Sequence, residues 1–289
     1  MRIGFLGFGE AASSIAAGLS GEGVVEMSAY DILLNDSGKQ EQVVSRIEQS
    51  GAKPAYTPGE AVKAAEVVFS VVPAGTAVTM AESAAGYLEA GSLYVDVTTA
   101  SPREKRKIAD LTEERGARFV DGAMMGPLLQ YRHQVPMLLS GSGSGELVQV
   151  MEPYHMNMTA VNEIPGAATS IKFIRSITAK GLACLLFEAL QAAQHFHVEE
   201  LIVDSLCESY GKGFEKVIDG YISGTVIHAG RREHEMQNGV DFLKESGLPA
   251  GMAEAARQKL EGIAQLELSK QFADGVPRNW RGVLEGWGL

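Results

Sequence analysis

The sequence predicts an α/β chain: a doubly wound, largely parallel sheet over residues 1–165, then an all-helical region over residues 166–289. Three observations predict it. Short apolar runs alternate with helix-period stretches through the first half, the pattern of strands joined by crossover helices. A glycine-rich loop directly follows the first apolar run. Beyond Pro165-Gly166 the alternation stops: Ser170–Phe196 has no proline, one glycine and dense Ala, Leu and Ile, which reads as one long helix.

Taken in order, the expected strands are Arg2–Leu6, Val24–Tyr30, Val67–Val72, Leu93–Thr98, Ala117–Val120, Val135–Leu139 and Thr159–Glu163. Helical periodicity places Glu10–Leu19, Glu41–Ser50 and Pro102–Arg115 between the early ones. Ser140–Gly145 is a loop after a strand rather than a linker. Past Phe196 the helical pattern continues, with breaks expected at Gly211, Gly220 and Leu248-Pro249-Ala250-Gly251.

Bulk properties exclude several classes. A formal net charge of −11 opposes binding to nucleic acid or an anionic membrane, since phosphates need a cationic footprint. No apolar run approaches the roughly 18–20 residues of a membrane span. The start is too short in apolar length for a signal peptide, so the cytoplasm is the expected compartment. Cys184 and Cys207 sit in apolar helix-like stretches without metal or redox spacing and are expected to be buried thiols. The six histidines show no metal-ligand spacing.

Gly7-Phe8-Gly9-Glu10-Ala11-Ala12 follows a strand and opens a helix, which is the G-x-G-x-x-G/A fingerprint of a Rossmann-type dinucleotide site. The first glycine makes the tight turn, and the second admits a pyrophosphate close to the backbone. The helix N-terminus then supplies unpaired N–H groups and a positive dipole end. Asp31 closes the second strand about 20 residues on, where an acid suits the ribose 2′-hydroxyl of NAD and repels a 2′-phosphate. NAD is therefore the expected cofactor. NADP stays open if Lys39 or Arg46 reaches the phosphate.

Several segments together resemble the β-hydroxyacid dehydrogenase family, which includes 6-phosphogluconate and 3-hydroxyisobutyrate dehydrogenases. Asp96-Val97-Thr98-Thr99-Ala100-Ser101-Pro102 is similar to the family's segment beside the nicotinamide. Val71-Val72-Pro73 resembles its turn under the adenosine half, and Asp121-Gly122-Ala123-Met124-Met125-Gly126 takes the place of its substrate loop. Gly166-Ala167-Ala168-Thr169-Ser170-Ile171-Lys172 resembles the glycine-led segment that carries the catalytic lysine. The later residues, Lys172 to Ser176 and Lys180-Gly181, look most like a little-characterised bacterial branch of 6-phosphogluconate-dehydrogenase-like proteins. The resemblance implies cofactor contacts at Thr98, Thr99, Val72 and Pro73, substrate contacts at Met124, Met125 and Gly126, and pairing of two chains through the helical region. Two positions depart from the family: Met125 stands where it has Ser, and Ser176 where it usually has Asn.

On a helix advancing about 100° per residue, Arg175, Ser176 and Lys180 fall within about 80° of Lys172. The four form a polar stripe on an otherwise apolar helix, as a wet cleft or a ligand site requires; a solvated amphipathic face is the plain alternative. A general base near neutrality needs a lysine whose pKa sits roughly 2–3 units below about 10.4. Burial and the like charge of Arg175 both push that way. The expected mechanism has Lys172 exchanging the hydroxyl proton, Ser176 and Thr99 orienting the reacting oxygen and cofactor, and Arg175 and Lys180 attracting a small acidic substrate.

Other residues are assigned to structure. His195 and His197 lie on different helix faces. His228, Arg231, Arg232 and His234 read as a solvated charged face, with contact to a neighbouring subunit's site as the rival. Trp280 and Trp287 suit packing or a dimer contact. Three activities follow from the sequence, in order of fit: a hydroxyacid or alcohol dehydrogenase, an imine reductase on the same scaffold, and an NAD(P)-binding regulator without turnover.

Overall fold

The computed structural model describes residues 1–24, 26–272 and 275–287, leaving out the side chains of Leu129 and Trp287. Val25 of the expected second strand and the Trp287 ring thus lie outside the described residues. The chain divides into two compact units, Met1–Lys172 and Phe173–Leu289.

The first unit is built on eight strands: β1 (Arg2–Leu6), β2 (Glu26–Tyr30), β3 (Lys53–Ala55), β4 (Val67–Ser70), β5 (Leu93–Asp96), β6 (Arg118–Met124), β7 (Met137–Ser140) and β8 (Met158–Asn162). Their order across the sheet is β3-β2-β1-β4-β5-β6-β7-β8. The first six run parallel in the doubly wound order that opens a crevice where the winding reverses, between β1 and β4. Helices α1 (Glu10–Gly21), α2 (Gln40–Gln49), α3 (Pro58–Val62), α4 (Ala77–Ala85), α5 (Pro102–Glu113), α6 (Leu128–Tyr131) and α7 (Ser144–Met151) lie between strands.

Alternation along each strand sorts side chains onto the two faces. Ile3, Phe5, Val67, Phe69 and Val95 enter one core with the apolar faces of α1 and α2. Leu6, Val68, Tyr94 and Phe119 enter a second with α4 and α5. Phe5 stacks on Phe69 and meets Phe8 edge-on, both at 5.6 Å, which locks the glycine loop onto the sheet.

Some expectations change. Lys53–Ala55 is a strand although it is short and contains Pro54; it sits at the sheet edge, where a missing N–H is tolerated. Asp121–Met124 belongs to β6 rather than to a loop, pairing antiparallel with β7. That pairing reverses the sheet direction at its far end.

Helix α8 (Ala167–Phe196) covers the long helix expected from Ser170. In the second unit α9 (Glu199–Tyr210), α10 (Phe214–Glu245), α11 (Gly251–Gln265) and α12 (Trp280–Trp287) follow. Breaks fall at Gly211 and Leu248–Ala250 as expected, but α10 runs straight through Gly220, and its non-helical residue is His228. Leu186, Leu190, Ile218, Ile222, Val283 and the fully buried Trp280 form this unit's main core, so Trp280 packs internally. Cys184 is buried and its thiol is pushed up to about 11 by burial; Cys207 is only half-buried, contrary to expectation. No helix among the described residues is long and apolar enough to cross a membrane.

Candidate functional site

The carboxyl ends of β1, β4 and β5 bring together the glycine loop, Val71–Pro73 and Thr98–Thr99. Gly7 has φ +81°, and a Cβ there would lie 2.8 Å from Val72 Cγ1 and 3.0 Å from the Val71 carbonyl oxygen. Only glycine fits. The Gly7 N–H donates to the Tyr30 carbonyl at 2.8 Å. Gly9 is the N-cap of α1 and offers no side-chain cap; a Cβ there would meet nothing within 4 Å. The helix therefore starts on open space, with first-turn amides at Glu10 and Ala11 suited to an anion. This cradle fits a dinucleotide's pyrophosphate.

Asp31 supports the cradle as well as terminating β2. Its Oδ2 accepts the Phe8 N–H at 2.8 Å and its Oδ1 the Leu33 N–H at 3.0 Å. Each oxygen keeps a second lone pair, so a ribose hydroxyl can still be held there. Pro73 opens a turn whose carbonyl accepts both the N–H and the hydroxyl of Thr76 at 2.9 Å. Thr98 is buried: its N–H donates to Asp96 Oδ1 at 2.8 Å and its hydroxyl accepts the Ala100 N–H at 3.2 Å. Thr99 is exposed.

Met124 ends β6 and packs against the first core. The Met125 N–H donates to the Pro136 carbonyl at 2.7 Å, and Gly126 approaches Pro136 and Tyr131 closely.

A buried cluster in the same unit escaped the sequence reading. Lys105 on α5 is fully buried, its Nζ 2.7 Å from the Asp96 carbonyl, 3.1 Å from Asp121 Oδ1 and 3.4 Å from Asp96 Oδ1. Burial works against the ammonium, but Asp96 and Asp121 outweigh it and hold the lysine pKa above its ordinary value. Asp121 in turn accepts the Thr169 hydroxyl at 2.7 Å and the Thr169 N–H at 2.9 Å. Ser140 donates to Asp121 at 3.3 Å and accepts the Ala168 N–H at 3.0 Å. The signal available in the sequence was Ser101-Pro102-x-Glu104, a capping box that starts α5 and puts Lys105 in its first turn.

Lys172 and Arg175 stand on α8, as do Ser176 and Lys180. In the second unit Lys180 Nζ lies 2.5 Å from Ser176 Oγ and 2.8 Å from Glu235 Oε2. Glu235 also receives Arg231 at 2.8 Å, so two cations share one carboxylate. Arg232 turns inward across the α10 kink to the Tyr221 carbonyl at 3.3 Å and the Thr225 hydroxyl at 2.5 Å. His228 at the kink has its pKa lowered by burial and by Arg231 and Arg232.

A glycine cradle at the reversal of a doubly wound sheet, with an acid closing β2, defines a dinucleotide-binding protein. The chain belongs to the family of the NAD binding domain of 6-phosphogluconate dehydrogenase, which matches residues 2–164. A domain of unknown function, DUF1932, matches residues 193–263. A conserved hypothetical protein from Sinorhizobium meliloti 1021 is 33% identical with a TM-score of 0.88, covering 99% of this chain and 95% of that one. The chain is 22% identical to 2-(hydroxymethyl)glutarate dehydrogenase of Eubacterium barkeri, over 97% of this chain and 95% of the relative. It is 25% identical to 3-sulfolactaldehyde reductase of Escherichia coli K12, over 95% and 85%.

Proposed function

We propose that the chain is an NAD-linked dehydrogenase of small hydroxy acids, with residues 1–165 serving the cofactor and residues 166–289 the substrate and self-pairing. The observation that carries this reading is the place of Lys172, on the helix opened by Gly166, in the segment that holds the catalytic lysine of the resembled family. By their names the two relatives act on 2-(hydroxymethyl)glutarate and on 3-sulfolactaldehyde, compounds that carry carboxylate or sulfonate groups, which favours an acidic substrate here.

The glycine cradle, Asp31, Val72–Pro73 and Thr98–Thr99 would hold the cofactor, whose nicotinamide, when bound, accepts or returns a hydride. Lys172 takes the substrate's hydroxyl proton in oxidation and returns it in reduction. Ser176 orients the reacting oxygen, Arg175 and Lys180 draw in the acid, and Met124–Gly126 line the substrate's apolar side. The Ser176–Lys180–Glu235 contacts support this role for Ser176 by fixing its hydroxyl in one direction.

A screen at 340 nm, run in both directions with NAD and NADP against hydroxy acids, aldehydes and cyclic imines, tests the proposal. Turnover of a hydroxy acid is the expected result. Turnover of imines alone moves the assignment to a reductase of C=N bonds, and cofactor binding without any turnover moves it to a regulator.

A further inference from the structure

The first turn of α8 is anchored from three directions. The Ala167 N–H donates to the Ile164 carbonyl at 3.1 Å, that of Ala168 to Ser140 and that of Thr169 to Asp121. Three of the four amides that a helix start leaves unpaired are thereby satisfied. Gly166 just before it has φ +88° and lies so close to α5 that a Cβ would fall 2.8 Å from Pro102 Cα. The same α5 delivers Lys105 to Asp96 and Asp121, and Asp96 holds the Thr98 amide. The ammonium's three protons have three acceptors: the Asp96 carbonyl and one carboxylate oxygen from each acid. Two carboxylates against one ammonium leave a net negative charge, which the positive end of α8 complements.

We infer that Lys105 and Asp121 are positioning residues for Lys172. One buried ammonium joins the carboxylate shaping the Thr98–Thr99 turn to the carboxylate capping the helix that bears the lysine. The inference rests on the reading of Lys172 as the proton-transfer group. Lys172 lies three residues beyond Thr169, less than one turn from the cap. A capped helix start with a charged anchor permits little sliding, and misplacement by about 1 Å is enough to cost a large part of a rate. Surface polar caps would serve a helix end equally well; burial of three charges makes sense where one geometry must be selected among close alternatives.

Thr169→Val keeps the shape and the backbone cap but deletes the hydroxyl that donates to Asp121, while Thr169→Ser keeps the hydroxyl. Two readouts are taken. One is kcat, KM and NADH affinity on the substrate found by the screen. The other is the ¹³C-methyl resonance of reductively dimethylated Lys172, assigned by its loss in Lys172→Ala. Thr169→Val is expected to lower kcat about tenfold, leave KM and NADH affinity within twofold, and move the Lys172 resonance; Thr169→Ser restores both. Asp121→Asn, if it folds, gives the same split. Native kcat and an unmoved resonance in Thr169→Val, with only a lower Tm, overturn the inference. If Lys172→Ala keeps full turnover, the functional reading fails by itself. The resonance then still decides whether the cap holds this side chain.

Discussion

At Asp31 the two carboxylate oxygens already hold the Phe8 and Leu33 amides, so this residue shapes the glycine loop and presents negative charge beside it. Calorimetric titration should show NAD binding more tightly than NADP, because a 2′-phosphate would meet that charge. Tighter NADP binding would mean that Lys39 or Arg46 reaches the phosphate instead. Lys172→Ala is expected to lower turnover by roughly 10²–10⁴-fold and leave cofactor affinity nearly intact, the range usual for an acid–base group; wild-type turnover in this variant removes Lys172 from the mechanism. Gly166→Ala asks a side chain to adopt φ +88° against the Pro102 backbone. Strain of about 1–3 kcal/mol should appear as a lower urea midpoint at unchanged m-value, and an unchanged midpoint would refute the close packing there.

Among the elements, α5 and α8 show how a charged residue can belong to the core. Lys105→Met leaves Asp96 and Asp121 buried without their cation, and removing one partner from such a group costs about 3–5 kcal/mol. Urea denaturation at neutral pH measures it, and a loss below about 1 kcal/mol would contradict the burial. The sign of the pH dependence follows from the raised pKa of Lys105. Its contribution is complete below the ordinary lysine value and is lost only as pH rises through the higher folded value. In α10 the element-level surprise is the position of the break. Gly220 stays helical, whereas His228 leaves the helical region at φ −124°, and Arg232 reaches back across that kink to Tyr221 and Thr225. The bend therefore falls where Arg232 bridges the two halves of α10, and not at the glycine.

For the molecule as a whole, the helical unit exposes large apolar side chains, including Leu185, Phe196, Leu201, Tyr210 and Met252. Helices this apolar commonly find their cover in a symmetric partner. Light scattering at micromolar concentration should give twice the 30.8 kDa chain mass; the mass of one chain would exclude self-pairing. Residues 171–193, which carry the proposed proton-transfer group, also supply much of the apolar helix behind this expectation, so association and activity should be measured on the same samples.

Short-range patterns were readable in the chain because their causes are local. The glycine loop, the strand–helix alternation and the long apolar helix each follow from neighbouring residues through sterics and periodicity. Spacing from Gly9 marks Asp31, and helical pitch puts Ser176 and Lys180 on one face; the structure adds that Glu235 holds both cations, Lys180 and Arg231. Long-range pairing was not readable. Lys53-Pro54-Ala55 becomes a strand because β2 offers it an edge, and β7 pairs antiparallel with β6 as far as Met124. Nothing local marks Lys105 or Asp121 for the core, since such residues are seldom buried. They lie in the core because Asp96, Ser140 and Thr169, brought from three other segments, replace the water that each would otherwise need.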